Sequence, residues 1–388
     1  MMSKSTKPKV VLLVGGHAHA LCVRELGLHC AGYNGLKNSS VLLISDVLHA
    51  PYSGMLPGMI AGEYSYDDAH IDLSELTKFA GVSLILSKCT GIDLSKREVQ
   101  LQNGKTVAFD FLSINIGSTH SQKGVPGTDA FAIPVKPVSE FLKSWESLLE
   151  ELKSGRHIEI IVVGGGAGGV ELVLSMKRRL GNAISITLLT QDCDVLATHN
   201  QGVRRLIRTV LSSRNITVHT DTKVEQVFPH RVVDSLGNEF SYSHLFWVTS
   251  ASAPEWIRNS GLALDCGGFV KVNSYLQSTS HPFVFAAGDI ASMVDTPRPK
   301  SGVFAVKQAK PLLTNIEASL TETSLTTYRP QGRFLNLIGT GDGCAVVSWG
   351  HFAWYSRSSW YVKHFIDRRF MRKFQGLKGN SLHIRVIN

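Results

Sequence analysis

The sequence predicts an α/β fold in which one nucleotide-binding layout is built twice. Three observations carry this. IEIIVVGGGAGGVELVLSMKRRL (158–180) is an apolar strand, a glycine loop and an amphipathic helix in direct succession. KVVLLVGGHAHALCVREL (9–26) repeats the design with fewer glycines. Each is followed by a second apolar strand, short alternating strands, and a buried strand ending in small residues, which is duplication at domain scale.

The elements follow in order. Residues 9–14 read as a buried strand, with a helix to about Leu28 and a second strand, SSVLLIS, closing at Ser45. DVLHAPYSGMLPGMIAGEY, rich in Gly and Pro, reads as a loop too irregular for a strand. VSLILSKCTGIDL and REVQLQNGKTVAF read as short strands, the second with an Asn-Gly turn. FLSINIGSTH is a buried strand ending in glycine. Residues 137–153 carry apolar side chains at helical spacing. The second unit runs from IEIIVV through ISITLLT, then ITVHTDTKVEQVF, RVVDSLGNEF and HLFWVTSA as further strands. HPFVFAAGDIA (281–291) is an apolar strand that delivers Asp289 at its end.

In the second unit, Gly164, Gly166, Ala167, Gly168 and Gly169 lie in a G-x-G-x-x-G pattern between strand and helix. Gly164 permits a tight turn, Gly166 lets a pyrophosphate approach the backbone, and Gly169 lets helix and strand pack closely. The helix N-terminus offers N–H groups and a partial positive charge to the phosphates. The acid expected at the end of the next strand is replaced by Thr190, Gln191 and Asp192. Arg204, Arg205 and Arg208 lie further on, as candidates for a 2′-phosphate or as a solvated helix face. NAD versus NADP stays open. In the first unit the pattern reads Val14-Gly15-Gly16-His17-Ala18-His19, with valine for the first glycine and histidine for the third. Ser45 and Asp46 end its second strand, where a ribose hydroxyl needs an acceptor.

Composition narrows the classes. No apolar run approaches the roughly 20 residues that cross a bilayer. The net charge of +9 comes from scattered basic residues that concentrate only near the C-terminus. No nucleic-acid module appears. The six cysteines form no close pair, so the pattern is neither a disulfide framework nor a zinc site, and no metal is expected. It fits an intracellular, reducing compartment.

With these motifs in view, the chain resembles the pyridine nucleotide-disulfide oxidoreductase superfamily, in its type II NADH dehydrogenase-like branch. More specifically it resembles the FAD/NAD(P)-binding module found fused to selenide, water dikinase. The segments that carry this are 51–62, HIDL (70–73), 135–145, VVGGGAGGVEL, 247–256, 298–315 and 363–374. Val14, and Ser250 in place of a usual glycine, depart from the pattern. The resemblance implies two Rossmann-like dinucleotide-binding domains of the two-dinucleotide flavoprotein type. Residues 1–125 with 265–325 would bind FAD, 126–264 would bind NAD(P), and 326–388 would be a C-terminal α+β, amphipathic segment. It places Gly15, Gly16, His17, Ala18, His19, Ser45, Asp46, Pro51, Ser53, Gly117, Ser118, Gly288 and Asp289 around FAD. Asp289 would bond the flavin's ribityl chain.

The implied activity is passage of electrons from NADH or NADPH through flavin to an acceptor. His49 to Gly54 hold no sulfur where disulfide reductases carry their cysteine pair, so a non-thiol acceptor such as a quinone is expected. A reductase serving selenium metabolism and a nucleotide-binding regulatory protein without turnover are the alternatives. Glu171, Lys307, Gln308 and Tyr52 are expected as positioning groups: Glu171 near the nicotinamide, the others around the flavin ring, with Lys307 and Gln308 opening the helix after the Asp289 strand. In the tail, Trp349 to Phe374 interleave aromatic residues with Arg and Lys, near helical spacing from Tyr361 onward. This reads as a membrane-surface contact, or as a face that packs on the FAD domain or on a homodimer partner.

Overall fold

The computed structural model describes residues 7–28, 32–120, 124–249, 251–332 and 335–377; Ser250 lies outside them. The strands that matter are, in chain order, β1 (Lys9–Leu13), β2 (Ser40–Ser45), β3 (Ser83–Leu86), β4 (Phe111–Ile114), β5 (Ile133–Pro134), β6 (Ile158–Val163), β7 (Ile184–Leu189), β8 (Ile216–His219), β9 (His244–Trp247), β10 (Val284–Ala286), β11 (Asn336–Gly339), β12 (Ala345–Trp349) and β13 (Phe352–Ser356). The helices used below are α1 (His17–Leu28), α2 (Val138–Leu152), α3 (Ala167–Leu180), α4 (Gln201–Ser213), α5 (Gly302–Leu320) and α6 (Arg357–Met371).

Two five-stranded parallel sheets organise the chain, ordered β10-β4-β1-β2-β3 and β5-β9-β6-β7-β8. Each puts its glycine-loop strand at the centre. Parallel sheets are covered on both faces, so their strands read as continuous apolar runs. Leu12, Leu43, Leu112 and Phe285 are buried in the first core; Ile160, Val162, Leu188 and Phe246 are buried in the second. In register, Leu12 faces Leu43 on one side and Ser113 on the other. Val162 faces Leu188 and Phe246 in the same way. The late strand β10 pairs with β4, which brings Asp289 back to the N-terminal sheet. The short alternating strands form small antiparallel sheets, with Gly104 and Gly237 in left-handed turns.

Two expectations change. The segment after β2, read as loop, contains a strand, His49–Pro51, and a helix, Leu56–Ala61. Pro57 stands in that helix's first turn and Gly62 closes it in the left-handed conformation, so the same residues that punctuate a loop serve as caps here. Lys307 and Gln308 do not open the helix after Asp289, because α5 begins at Gly302. The aromatic tail is a hairpin followed by a helix. Trp349, Phe352, Trp354 and Tyr355 stand on the β12–β13 hairpin, and α6 begins at Arg357 behind a Ser356 cap.

Candidate functional site: two facing cradles

The second cradle is built from glycines with separate duties. Gly164 has φ +130°, and a side chain there would run into the Val248 carbonyl. A Cβ on Gly169 would land on the Gly164 carbonyl oxygen, and one on Gly165 would lie 2.6 Å from Thr190 Oγ1. These three are closed by the protein itself. Gly166 and Gly168 are open: a Cβ on Gly166 meets nothing within 4 Å, and one on Gly168 meets only Val248 Cγ1 at 3.5 Å. Their free side faces a cavity of about 750 Å³. A phosphate chain fits that space, at the N-terminus of a long helix.

The same cavity runs on to polar residues beside the first glycine loop. Gly164 to Gly168, Gln191 and Asp192 line one part; Ser53, Ser118, Lys136 and Asp289 line another. The Asp289 carboxylate accepts from Ser118 Oγ at 3.2 Å and pairs with Lys136 Nζ at 3.5 Å, while Lys136 donates to Ser118 at 2.8 Å. Gly117 has φ +70° and open space where a Cβ would go. This polar trio beside an open backbone fits the polyol chain of a flavin nucleotide. Gly288 has φ +72°, and its N–H donates to Gln308 Oε1 at 2.7 Å. Gln308 is buried, so it braces the Asp289 turn, whereas Lys307 is exposed.

In the first glycine loop Val14 has φ +67°. A left-handed backbone costs a side-chain-bearing residue about 1–2 kcal/mol. Gly15 packs on Leu73, and a Cβ on Gly16 would strike Asn115. Ala18 and His19 are fully buried. His19 Nδ1 donates to the Val14 carbonyl at 2.8 Å, and its Nε2 accepts from Ser113 Oγ at 2.8 Å. Burial holds the His19 imidazole neutral, its pKa pushed down to about 4. Ser45 spends its hydroxyl on its own loop, donating to the Val47 carbonyl at 2.8 Å, which leaves exposed Asp46 as the free acceptor there.

The C-terminal helix closes this end. Tyr52 stacks on Phe370 with ring centroids 4.5 Å apart, and His17 meets Tyr52 edge-on at 5.1 Å. Pro51 supplies a backbone contact to His17. The Tyr52 hydroxyl donates to Asp367 Oδ1 at 3.1 Å, and burial followed by that carboxylate holds it firmly protonated. Lys363 donates to Asp367 Oδ2 at 2.8 Å and to the Gly54 carbonyl at 2.6 Å. Glu171 lines the cavity and accepts from the Gly339 N–H at 2.8 Å. Burial raises its carboxyl above the usual range, with the nearby Lys363 ammonium opposing.

Asn115, Lys136, Lys363 and Asp367 were not singled out by the sequence reading as site residues. The i,i+4 spacing of Lys363 and Asp367 marks them as a pair on a helix, but nothing local says that the pair turns inward. Arg204 and Arg208 each lie 3.5 Å from the buried Asp194 carboxylate. No cysteine lines the cavity among the described residues. No cluster of metal-ligating side chains occurs among them either.

Two parallel sheets, two glycine loops and one shared cavity define a two-dinucleotide flavoprotein reductase architecture. The family model for pyridine nucleotide-disulphide oxidoreductases matches residues 14–309, and the chain belongs to that family. FAD and NAD(P)H are the family's cofactors, and the protein is an FAD-dependent oxidoreductase. It is 25% identical over 357 residues to demethylphylloquinone reductase NdbB of Synechocystis sp., covering 89% of this chain and 87% of that protein. It is 27% identical over 343 residues to ferroptosis suppressor protein 1 of Homo sapiens, covering 82% and 87%. Among solved structures, sulfide:quinone oxidoreductase of Aquifex aeolicus aligns with a TM-score of 0.75 at 20% identity, covering 96% of this chain and 92% of that one. NDH2 of Plasmodium falciparum in complex with NADH aligns at 0.74 and 16% identity, covering 95% and 97%.

Proposed function

We propose that the protein oxidises NADH or NADPH and passes the electrons through FAD to a quinone at a membrane surface. The observation that carries this reading is the single cavity shared by the Gly164–Gly168 loop and the Ser118–Lys136–Asp289 trio. A nucleotide on the first and a flavin on the second would meet inside it. The glycine loop would take the pyrophosphate of NAD(P)H at the α3 N-terminus. Asp289, Ser118 and Lys136 would hold the flavin's polyol chain, with Gln308 bracing the turn that carries Asp289. Glu171 would face the nicotinamide and stabilise its positive charge as hydride leaves. Tyr52, pinned by Phe370 and Asp367, would wall the ring site and keep water out. Bound flavin supplies the two-electron chemistry. Residues 1–125 with 265–325 would form the FAD domain and 126–264 the NAD(P) domain.

The quinone assignment rests on relatives whose names specify quinone chemistry, which favours it over a selenium-linked acceptor. The membrane contact rests on the outer face of the C-terminal segment. α6 docks by one face: Arg368 pairs with Asp68 at 3.0 Å, Tyr64 bonds His364 at 2.9 Å, and Asp367 and Phe370 are buried. Its other face leaves Tyr361, Phe365 and Ile366 exposed, continuous in kind with Trp349, Phe352 and Trp354 on the hairpin. Exposed basic residues, among them Arg357 and Arg369, stand among them. No helix among the described residues is long and apolar enough to cross a membrane, so contact through this face would be peripheral.

The experiment is NADH oxidation by the FAD-loaded chain, with a short-chain soluble quinone and with a long-chain quinone in anionic vesicles. Turnover with both is expected. Phe352→Ser with Phe365→Ser should lower only the vesicle reaction, by about tenfold or more, as two exposed aromatic side chains that would enter the lipid are lost. Turnover with neither quinone would refute the acceptor. Equal vesicle rates for both proteins, or a dimer broken by the same substitutions, would refute the membrane face.

A further inference from the structure

The first loop breaks the glycine pattern at both ends, and the two breaks touch each other. In the second loop a side chain at position 169 is impossible because its Cβ would fall on the Gly164 carbonyl oxygen. In the first loop the equivalent residue, His19, carries a large side chain and is still fully buried. The equivalent carbonyl, that of Val14, is not obstructed by it but bonded to it, by Nδ1 at 2.8 Å. Val14 sits at φ +67° where Gly164 sits at φ +130°. Both residues keep the same anchor to the next strand: Val14 N donates to Ile44 O at 2.6 Å and Gly164 N to Leu189 O at 2.8 Å. The loops therefore part at this residue and nowhere earlier.

Ser113 completes the set. It is a fully buried serine within an apolar strand, where Phe246 occupies the matching register in the other sheet. Its hydroxyl meets His19 Nε2 at 2.8 Å. A carbonyl can only accept, so Nδ1 carries the proton and Nε2 takes the Ser113 hydroxyl's. Both ring nitrogens are then satisfied. Asn115 adds the backbone: its Oδ1 accepts from Ala18 N at 3.1 Å and His19 N at 3.3 Å, and its Nδ2 donates to Ala287 O at 2.7 Å. The loop is thereby tied to the turn that carries Asp289. A buried polar network of this kind rigidifies what it joins when every member is paired.

We propose that Val14, His19 and Ser113 are a matched set that replaces the first and third glycines, with His19 as the positioning residue that fixes the shape of the flavin nucleotide's cradle. His19 does not itself touch the cofactor, since it has no exposed surface and no free ring nitrogen. The proposal rests on the FAD assignment above and extends it to how this loop holds its shape without the glycines.

The test measures FAD affinity of the full apo chain by flavin fluorescence, with ADP-ribose affinity at the second cradle as the folding control. His19→Leu keeps volume but removes both hydrogen bonds. It should weaken FAD by about tenfold, since the loop is no longer held in the shape that fits the nucleotide and binding must restore it. His19→Asn, which keeps one donor, should lose less. V14G/H19G/S113A restores the ordinary glycine pattern and should recover most of the affinity that His19→Gly loses. ADP-ribose binding should stay constant throughout. Unchanged FAD affinity in His19→Leu, or a triple variant no better than His19→Gly, would overturn the proposal. A wild-type chain that binds ADP-ribose but no FAD would instead strike the flavin assignment itself.

Discussion

The two parallel sheets share the order of four strands, β4-β1-β2-β3 and β9-β6-β7-β8, but the loops at their centres are held in different ways. The second loop is glycine where backbone meets backbone, and it stays open on the cavity side at Gly166 and Gly168. The first is held by side chains: His19 on the Val14 carbonyl, Ser113 on His19, Asn115 on two loop N–H groups. An open glycine cradle suits a nucleotide that arrives and leaves in each turnover. A cradle stitched to three elements suits one that stays. A glycine fingerprint is thus a statement about where one carbonyl lies. When that carbonyl moves, histidine can stand where glycine otherwise must.

The largest test of this contrast moves the histidine. Gly169→His puts a Cβ on the Gly164 carbonyl, with no shifted backbone to receive it. NADH affinity should fall by up to about a hundredfold, since overpacking typically costs about 1–3 kcal/mol. An NADH titration checks this, and near-normal binding would break the contrast. The second test, read as stability and not as affinity, is Asn115→Ala. It leaves Ala18 N, His19 N and the Ala287 carbonyl without their partner, at about 1–3 kcal/mol for each buried group. Thermal unfolding should show loss of stability together with loss of FAD, and ADP-ribose affinity should hold. The smallest effect is expected at Glu171. Burial raises its carboxyl, so the carboxylate form is lost at a higher pH than usual as pH falls. Flavin reduction by NADH should therefore rise with pH through that raised value. Glu171→Gln should remove this limb and lower the plateau by about tenfold, near 1.4 kcal/mol. Stopped-flow pH profiles decide it.

Much of the fold was legible because buried parallel strands and glycine turns write themselves into sequence. Val162, Leu188 and Phe246 could be read as strand interior from continuous apolar runs alone. Asp289 was legible because a lone carboxylate ends an apolar strand. Asn115 was not, although it stands in a quoted strand, because its partners lie at positions 18, 19 and 287. Lys363 and Asp367 were legible as members of a basic aromatic helix, but not as neighbours of Tyr52 and Gly54. Periodicity gives a helix two faces and cannot say which one docks. The C-terminal segment was legible as α+β but not the place of its hairpin, since aromatics at short spacing suit a strand as well as a helix. Val14 stands out in the sequence as a departure from the motif, and its meaning appears only with His19 and Ser113 beside it.

The most direct measurement is an anaerobic NADH titration of the purified, FAD-loaded chain, followed at the flavin's visible absorbance. A cavity shared by the Gly164–Gly168 loop and the Ser118–Lys136–Asp289 trio predicts that one equivalent of NADH bleaches the bound flavin, with NAD⁺ released. A chain that binds both nucleotides yet leaves the flavin oxidised would contradict the account.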